Sequence, residues 1–173
     1  NELENAEKCL NYAFCLSPTD AKVVNDLAKL KIEQGKYQDA INFLERNIKE
    51  IENNFEAICN LALAYRSVNQ PNKACDLLSI PNSSQLASID NRTKNQFLFN
   101  RSLTLLSVGR CDEGWIDYRK RFFAPEFTTS YRNYQFPRLE RISDAVGKKL
   151  LIWPEQGVGD QFTFLSLLHK LVI

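Results

Sequence analysis

The sequence predicts an all-α protein: a solenoid of about three to four helix pairs, followed by a linker and a short segment of a different kind. Three observations carry this. Apolar residues recur at helical spacing through residues 1–123. The pattern returns after about 34 residues, with small and large side chains at the same places. The final stretch breaks both habits, with an apolar run, two close glycines and a new helical stripe.

The clearest unit occupies residues 55–81. Ile58, Leu61, Ala62 and Tyr65 form one stripe, Val68-Asn69-Gln70-Pro71 interrupts it, and Ala74, Leu77 and Leu78 form a second. The preceding unit has Val24, Leu27, Ala28 and Lys31, then Gly35-Lys36-Tyr37, then Ala40 and Leu44. The second half of an earlier unit survives as Ala6, Leu10 and Ala13, and Pro18 stops its helix. Residues 81–93 are polar, rich in Ser and Asn, and read as an insertion. A further unit follows, with Leu98, Ser102 and Leu105, then Gly109-Arg110, then Gly114, Trp115 and Tyr118.

Small residues let two helices approach: Ala28, Ala62 and Ser102 on the first helix, and Ala6, Ala40, Ala74 and Gly114 on the second. Leu44, Leu78 and Tyr118 fill the gap to the next unit, and Gly35 and Gly109 suit the tight turn between helices. One amphipathic pair cannot bury its own face, so units stack. The period and pattern look like tetratricopeptide repeats, and the shared register of small residues favours them over an ordinary antiparallel bundle. The solenoid is assigned residues 1–124 and the linker 125–147.

The linker alternates Phe127, Tyr131, Arg132, Tyr134, Phe136, Arg138 and Arg141. Aromatic residues interleaved with arginine can bind single-stranded nucleic acid. A net charge of +1 gives no drive towards a polyanion, so these residues are read as docking the linker, and nucleic acid is not expected as a partner.

Residues 148–173 read as one β-loop-α unit. Leu150, Leu151, Ile152 and Trp153 have the apolar character of a buried strand, and Pro154 ends it. Gly157 and Gly159 form a loop, Asp160 stands at a helix N-cap position, and Phe162, Phe164, Leu165, Leu168 and Leu171 follow at helical spacing. Such a turn favours an anion at the helix start; a tight turn with no ligand fits equally. A third glycine is lacking where Phe162 stands, so this is not the dinucleotide fingerprint, and no Gly-Lys-Ser/Thr makes it a phosphate loop.

Composition is that of an ordinary soluble protein, with 44% hydrophobic and 25% charged residues. No apolar run approaches the ~20 residues of a membrane span. The five cysteines form no C-x-x-C and are read as small core residues in a reducing compartment, so a cytoplasmic location is expected. His169 is the single histidine, which leaves no His cluster for a metal and no Ser-His-Asp set. The chain begins at Asn1 and contains no methionine, and it is expected to be a piece of a longer protein.

Stacked repeats expose a concave face along their first helices. Asp26, Asn60 and Asn100 occupy one register position there. Asparagine amides both donate and accept, so such a row suits the backbone of an extended peptide; a solvated helix face fits as well.

The order of features resembles a known group. Repeats close with Gly109-Arg110 and Gly114-Trp115-Ile116-Asp117-Tyr118-Arg119; Phe136-Pro137 follows, then residues 147–153 and Glu155-Gln156-Gly157-Val158-Gly159-Asp160. This resembles bacterial tetratricopeptide-repeat proteins with a C-terminal glycosyltransferase-like domain, similar to the lipopolysaccharide heptosyltransferases and, more distantly, the O-linked N-acetylglucosamine transferases. The resemblance spans nearly the whole chain. It implies two Rossmann-like halves, of which this chain would hold the first strand and helix of the acceptor half. It implies Asp160 as base on the acceptor hydroxyl, with Glu155, Gln156, Gly157 and Gly159 forming the acceptor or anion loop. It implies an asparagine ladder at Asn60 and Asn100, from which Asp26 departs. The nucleotide-sugar donor belongs to a half not present here, so no cofactor and no turnover are expected of this chain. The function expected is a protein- or peptide-binding repeat region that positions an acceptor; a non-catalytic interaction module is the alternative.

Overall fold

The computed structural model describes residues 2–79, 83–129, 133–139 and 141–152, together with Glu155, Gly157, Phe162, Leu165 and Ser166. The chain divides into two compact units, Asn1–Phe127 and Thr128–Ile173.

The first unit is helical throughout. Its elements are α1 (Glu2–Leu16), α2 (Ala21–Glu33), α3 (Tyr37–Arg46), α4 (Ile48–Ile51), α5 (Phe55–Ser67), α6 (Pro71–Ser79), α7 (Ser83–Ser88), α8 (Asn91–Ser107) and α9 (Cys111–Tyr118), closed by a 3-10 turn at Arg121–Phe123. Three helix pairs follow one another: α2 with α3, α5 with α6, and α8 with α9. Helix α1 packs on α2 as the second helix of an earlier pair would. The first helices also pack side by side, α2 on α5 and α5 on α8.

The small and large positions behave as the repeat requires. Ala28, Ala40, Ala74 and Ser102 are all 0% exposed, so their helices touch backbone to backbone. Leu44 and Leu78 are fully buried between pairs. Gly114 is a close approach: a Cβ there would lie 2.8 Å from Leu106 Cγ.

Each first helix starts from a side-chain cap. Asp20 accepts from the Lys22 N–H at 2.8 Å, Asn54 from Glu56 and Ala57 at 3.1 Å, and Asp90 from Arg92 and Thr93 at 2.9 and 3.0 Å. Each first helix ends in the same hydrogen-bonded turn. The N–H groups of Lys36, Gln70 and Arg110 reach back to the carbonyls of Lys31, Tyr65 and Leu105 at 2.8, 2.8 and 2.9 Å. This turn needs a left-handed residue, supplied by Gly35 (φ +74°), Asn69 (φ +60°) and Gly109 (φ +78°). The turn then launches the second helix without any side-chain cap at Lys36 or Arg110.

The structure differs from the sequence expectation in two places and adds a helix break at a point where the sequence sets no expectation. The insertion after residue 81 is not all loop. Ser83–Ser88 is helical, Leu86 packs on the core, and Asn91–Thr93 form the first turn of α8, which is 17 residues long against 13 for α2 and α5. Helix α3 breaks at Asn47, whose side chain donates to the Phe43 carbonyl at 2.8 Å, and Ile51 beyond it is fully buried. In the second unit, the apolar run expected as a buried strand has no regular structure. Leu150, Leu151 and Ile152 are 40%, 51% and 55% exposed, and no strand occurs among the described residues to pair with them. A strand must satisfy its backbone groups on a neighbour, and apolar character alone does not supply one.

Candidate functional site

The row of first helices presents the predicted groove residues at one register. Asp26, Asn60 and Asn100 are each half-buried, on α2, α5 and α8. They are not idle. The Asn60 amide donates to Asn25 Oδ1 at 2.8 Å, and the Asn100 side chain lies close enough to Cys59 to act on its thiol. Both contacts follow one rule: the residue at the groove position reaches the residue one place earlier on the preceding first helix. Asn25 is 2% exposed and Cys59 is 6% exposed, so these contacts join adjacent units beneath the groove surface. Each asparagine keeps its carbonyl oxygen and a second N–H for another partner.

Electrostatics around this point are uneven. Burial pushes the Cys59 thiol up to about 12, partly offset by the Asn100 amide, so the sulfur stays neutral. Arg66, two helical turns beyond Cys59 on α5, is half-buried. Desolvation lowers its guanidinium from the ordinary arginine value. No carboxylate among the described residues forms an ion pair with it. Glu126 is held by Gln96, whose amide donates to it at 2.6 Å. Between Cys59 and Arg66 on the same stripe lies Leu63, 38% exposed.

Sequence reasoning placed Asp26, Asn60 and Asn100 by register but missed Asn25, Cys59, Leu63 and Arg66. Asn25 carried a readable signal, a polar residue beside Val24 in an otherwise apolar stripe. Arg66 carried none, since its surroundings depend on how α5 and α8 stack.

The end of the first unit is aromatic. Arg121, 8% exposed, lies 4.5 Å from the ring centre of Tyr118 and 4.2 Å from that of Phe122. Phe127 stacks edge-on against Phe99 and Phe122 with centres 5.5 Å apart in both pairs. Beneath them Arg101 grips Asp117 in a two-point ion pair, at 2.6 and 3.1 Å. An open depression of about 260 Å³ between α2 and α3 is lined by Lys31, Asp39, Asn42, Phe43 and Arg46. It touches none of the groove residues.

Of the predicted acceptor loop, Glu155 is half-buried and Gly157 exposed. Gln156, Gly159 and Asp160 lie outside the described residues. Among the described residues, no cluster of His, Cys, Asp and Glu could hold a metal ion, and no helix is long and apolar enough to cross a membrane.

No family model matches the chain. Protein FlbA of Caulobacter vibrioides is 28% identical over 178 residues, which is 99% of this chain and 28% of FlbA. The chain therefore spans little more than a quarter of that relative's length. Among solved structures, MamA MSR-1 C2 superposes with a TM-score of 0.51 at 18% identity, over 69% of this chain and 66% of that one. At this identity the likeness speaks for fold alone. With the helix pairs, turns and small-residue register described above, it shows a tetratricopeptide-like helical repeat.

Proposed function

We propose that this chain is a protein-binding module whose first helices, α2, α5 and α8, receive an extended peptide segment. One observation carries the reading: Asp26, Asn60 and Asn100 sit half-exposed at one register across helices that pack side by side, with hydrogen-bonding capacity left over on both asparagines. An amide row of that kind grips a peptide backbone whatever its side chains. The test is selection from a random linear-peptide display library, followed by nuclear magnetic resonance mapping of a selected peptide. The expected outcome is a set of shifts confined to the Asn60 and Asn100 neighbourhood, and weaker binding by the doubly substituted Asn60→Ala/Asn100→Ala chain. Shifts confined to α3, α6 and α9 would remove the groove.

A second reading rests on the Glu155-to-Asp160 motif and its resemblance to glycosyltransferase-like domains. In it, the repeats hold an acceptor, Asp160 takes the proton of the acceptor hydroxyl, and a nucleotide-sugar is bound by a domain beyond this chain. It predicts that Asp160→Asn in the complete gene product abolishes sugar transfer while the melting temperature is unchanged. Full retained transfer would take Asp160 out of the mechanism.

A further inference from the structure

Arg66 is a half-buried cation of the groove with no counterion of its own among the described residues. Arg66 lies on the stripe Cys59–Leu63–Arg66 of α5, spaced so that all three share a face. Asn100 from α8 meets this stripe at Cys59. The stripe therefore runs along the seam between two first helices, which is the surface assigned above to peptide. Half-burial strips water from the guanidinium, and the protein supplies no carboxylate in exchange among the described residues. Glu56 and Glu126 are close enough to act on Cys59, yet neither pairs with Arg66. The other arginines that point inward are answered: Arg101 by Asp117, and Arg121 by the Tyr118 carbonyl and rings around it. Leu63, exposed beside Arg66, adds an apolar contact one turn away.

We propose that Arg66 is the carboxylate-binding point of the groove, holding an Asp or Glu side chain of an extended peptide whose adjacent apolar residue rests on Leu63. This rests on the peptide-groove reading and names the class of peptide. A planar guanidinium accepts a carboxylate in two parallel hydrogen bonds, and a site shielded from water strengthens them. Phosphate recognition by contrast draws on clusters of arginines, and this stripe has one.

The test uses peptides selected by the unaltered chain from the display library. They are expected to carry an acidic residue next to an apolar one. Replacing that acidic residue by its amide is expected to weaken binding about tenfold or more. With Arg66→Gln, the acidic and amide peptides are expected to bind alike. Arg66→Lys, which keeps charge but loses the fork, is expected to fall between, and the melting temperature of each variant checks that it is folded. An acidic preference that survives in Arg66→Gln would overturn the assignment, as would selected peptides with no acidic preference. A phosphoserine preference over aspartate that depends on Arg66 would also overturn it. Neutral peptides bound in the groove would leave the groove reading standing alone, whereas a library that yields no binder would remove both.

Discussion

At the register where α2 and α5 carry Leu27 and Leu61, 3% and 1% exposed, α8 carries Arg101. The middle pair is closed by apolar contact at this point. The last pair is closed by an ion pair between Arg101 and Asp117, whose side chains are 27% and 9% exposed. The same backbone arrangement tolerates both, because Asp117 on α9 faces Arg101 at the right distance. The two solutions fail differently. Removing a leucine leaves a cavity, while removing one charge leaves the other stranded. Asp117→Ala is therefore expected to cost about 3 kcal/mol, most of it from the unpaired guanidinium. Replacing both partners together, Arg101→Leu with Asp117→Leu, copies the middle pair and is expected to recover most of that loss. Urea unfolding of the three proteins reads the difference; a single variant as stable as the parent would show that the pair contributes nothing.

The second contrast lies where the two helices of a pair meet. Ala74 serves the middle pair, and Gly114 the last. A methyl group at Gly114 would meet Leu106 Cγ at 2.8 Å, its Cδ2 at 2.9 Å and its backbone N at 3.2 Å, and the backbone atom cannot swing aside. Gly114→Ala gains helix propensity but forces α8 and α9 apart. A net cost of about 1–2 kcal/mol is expected. A gain in stability would mean that Leu106 moves aside freely.

The third contrast is the turn. Asn69 does in the middle pair what Gly35 and Gly109 do in the others, at φ +60°. Asparagine is the side chain best tolerated there, so the penalty is small, and Asn69→Gly is expected to stabilise by about 0.5 kcal/mol. The signature is a higher urea midpoint with an unchanged slope. A lower midpoint would show that the Asn69 side chain contributes more than its backbone strain takes away.

How much of this was legible before the structure follows from where each signal lives. The helix pairs were, because Ala28 and Ala62 on the first helices, and Ala40 and Ala74 on the second, repeat at one period and packing forces that period. The break at Asn47 and helix α7 were not, since the sequence Ser-Ser-Gln-Leu-Ala-Ser has no apolar stripe and only Leu86 ties it to the core. The groove row was legible by register, but the partners of Asn60 and Asn100 depend on how neighbouring units stack. Arg101 could be read as a departure from leucine, while Asp117, sixteen residues on, could not be read as its partner. The strand at Leu150, Leu151 and Ile152 was inferred from composition alone, and composition does not provide the neighbouring strand.

The smallest contrast is between caps. Asn54 starts the first helix of the middle pair and does not titrate. Asp90 starts that of the last pair. The Thr93 hydroxyl at 2.6 Å, and then the N–H groups of Thr93 and Arg92, hold the Asp90 carboxyl below the ordinary aspartate range. A carboxyl whose value falls on folding contributes stability above its unfolded value and loses it as pH drops through the folded one. Between neutral and strongly acid pH the start of α8 should therefore weaken through Asp90 while the start of α5 does not change through Asn54. Asp90→Asn makes the two ends alike. At pH 7 the native protein is expected to melt slightly above the variant, because the charged Asp90 accepts from the Thr93 hydroxyl and the two N–H groups more strongly than a neutral amide oxygen does. Below about pH 4 the native protein should lose more of its melting temperature than the variant, since a protonated Asp90 no longer accepts as a charged group. Glu7 and Glu113 are also held low by their partners, but they are common to both proteins and cancel in the difference. Parallel melting curves across the whole range would show that the Asp90 charge adds nothing to its geometry.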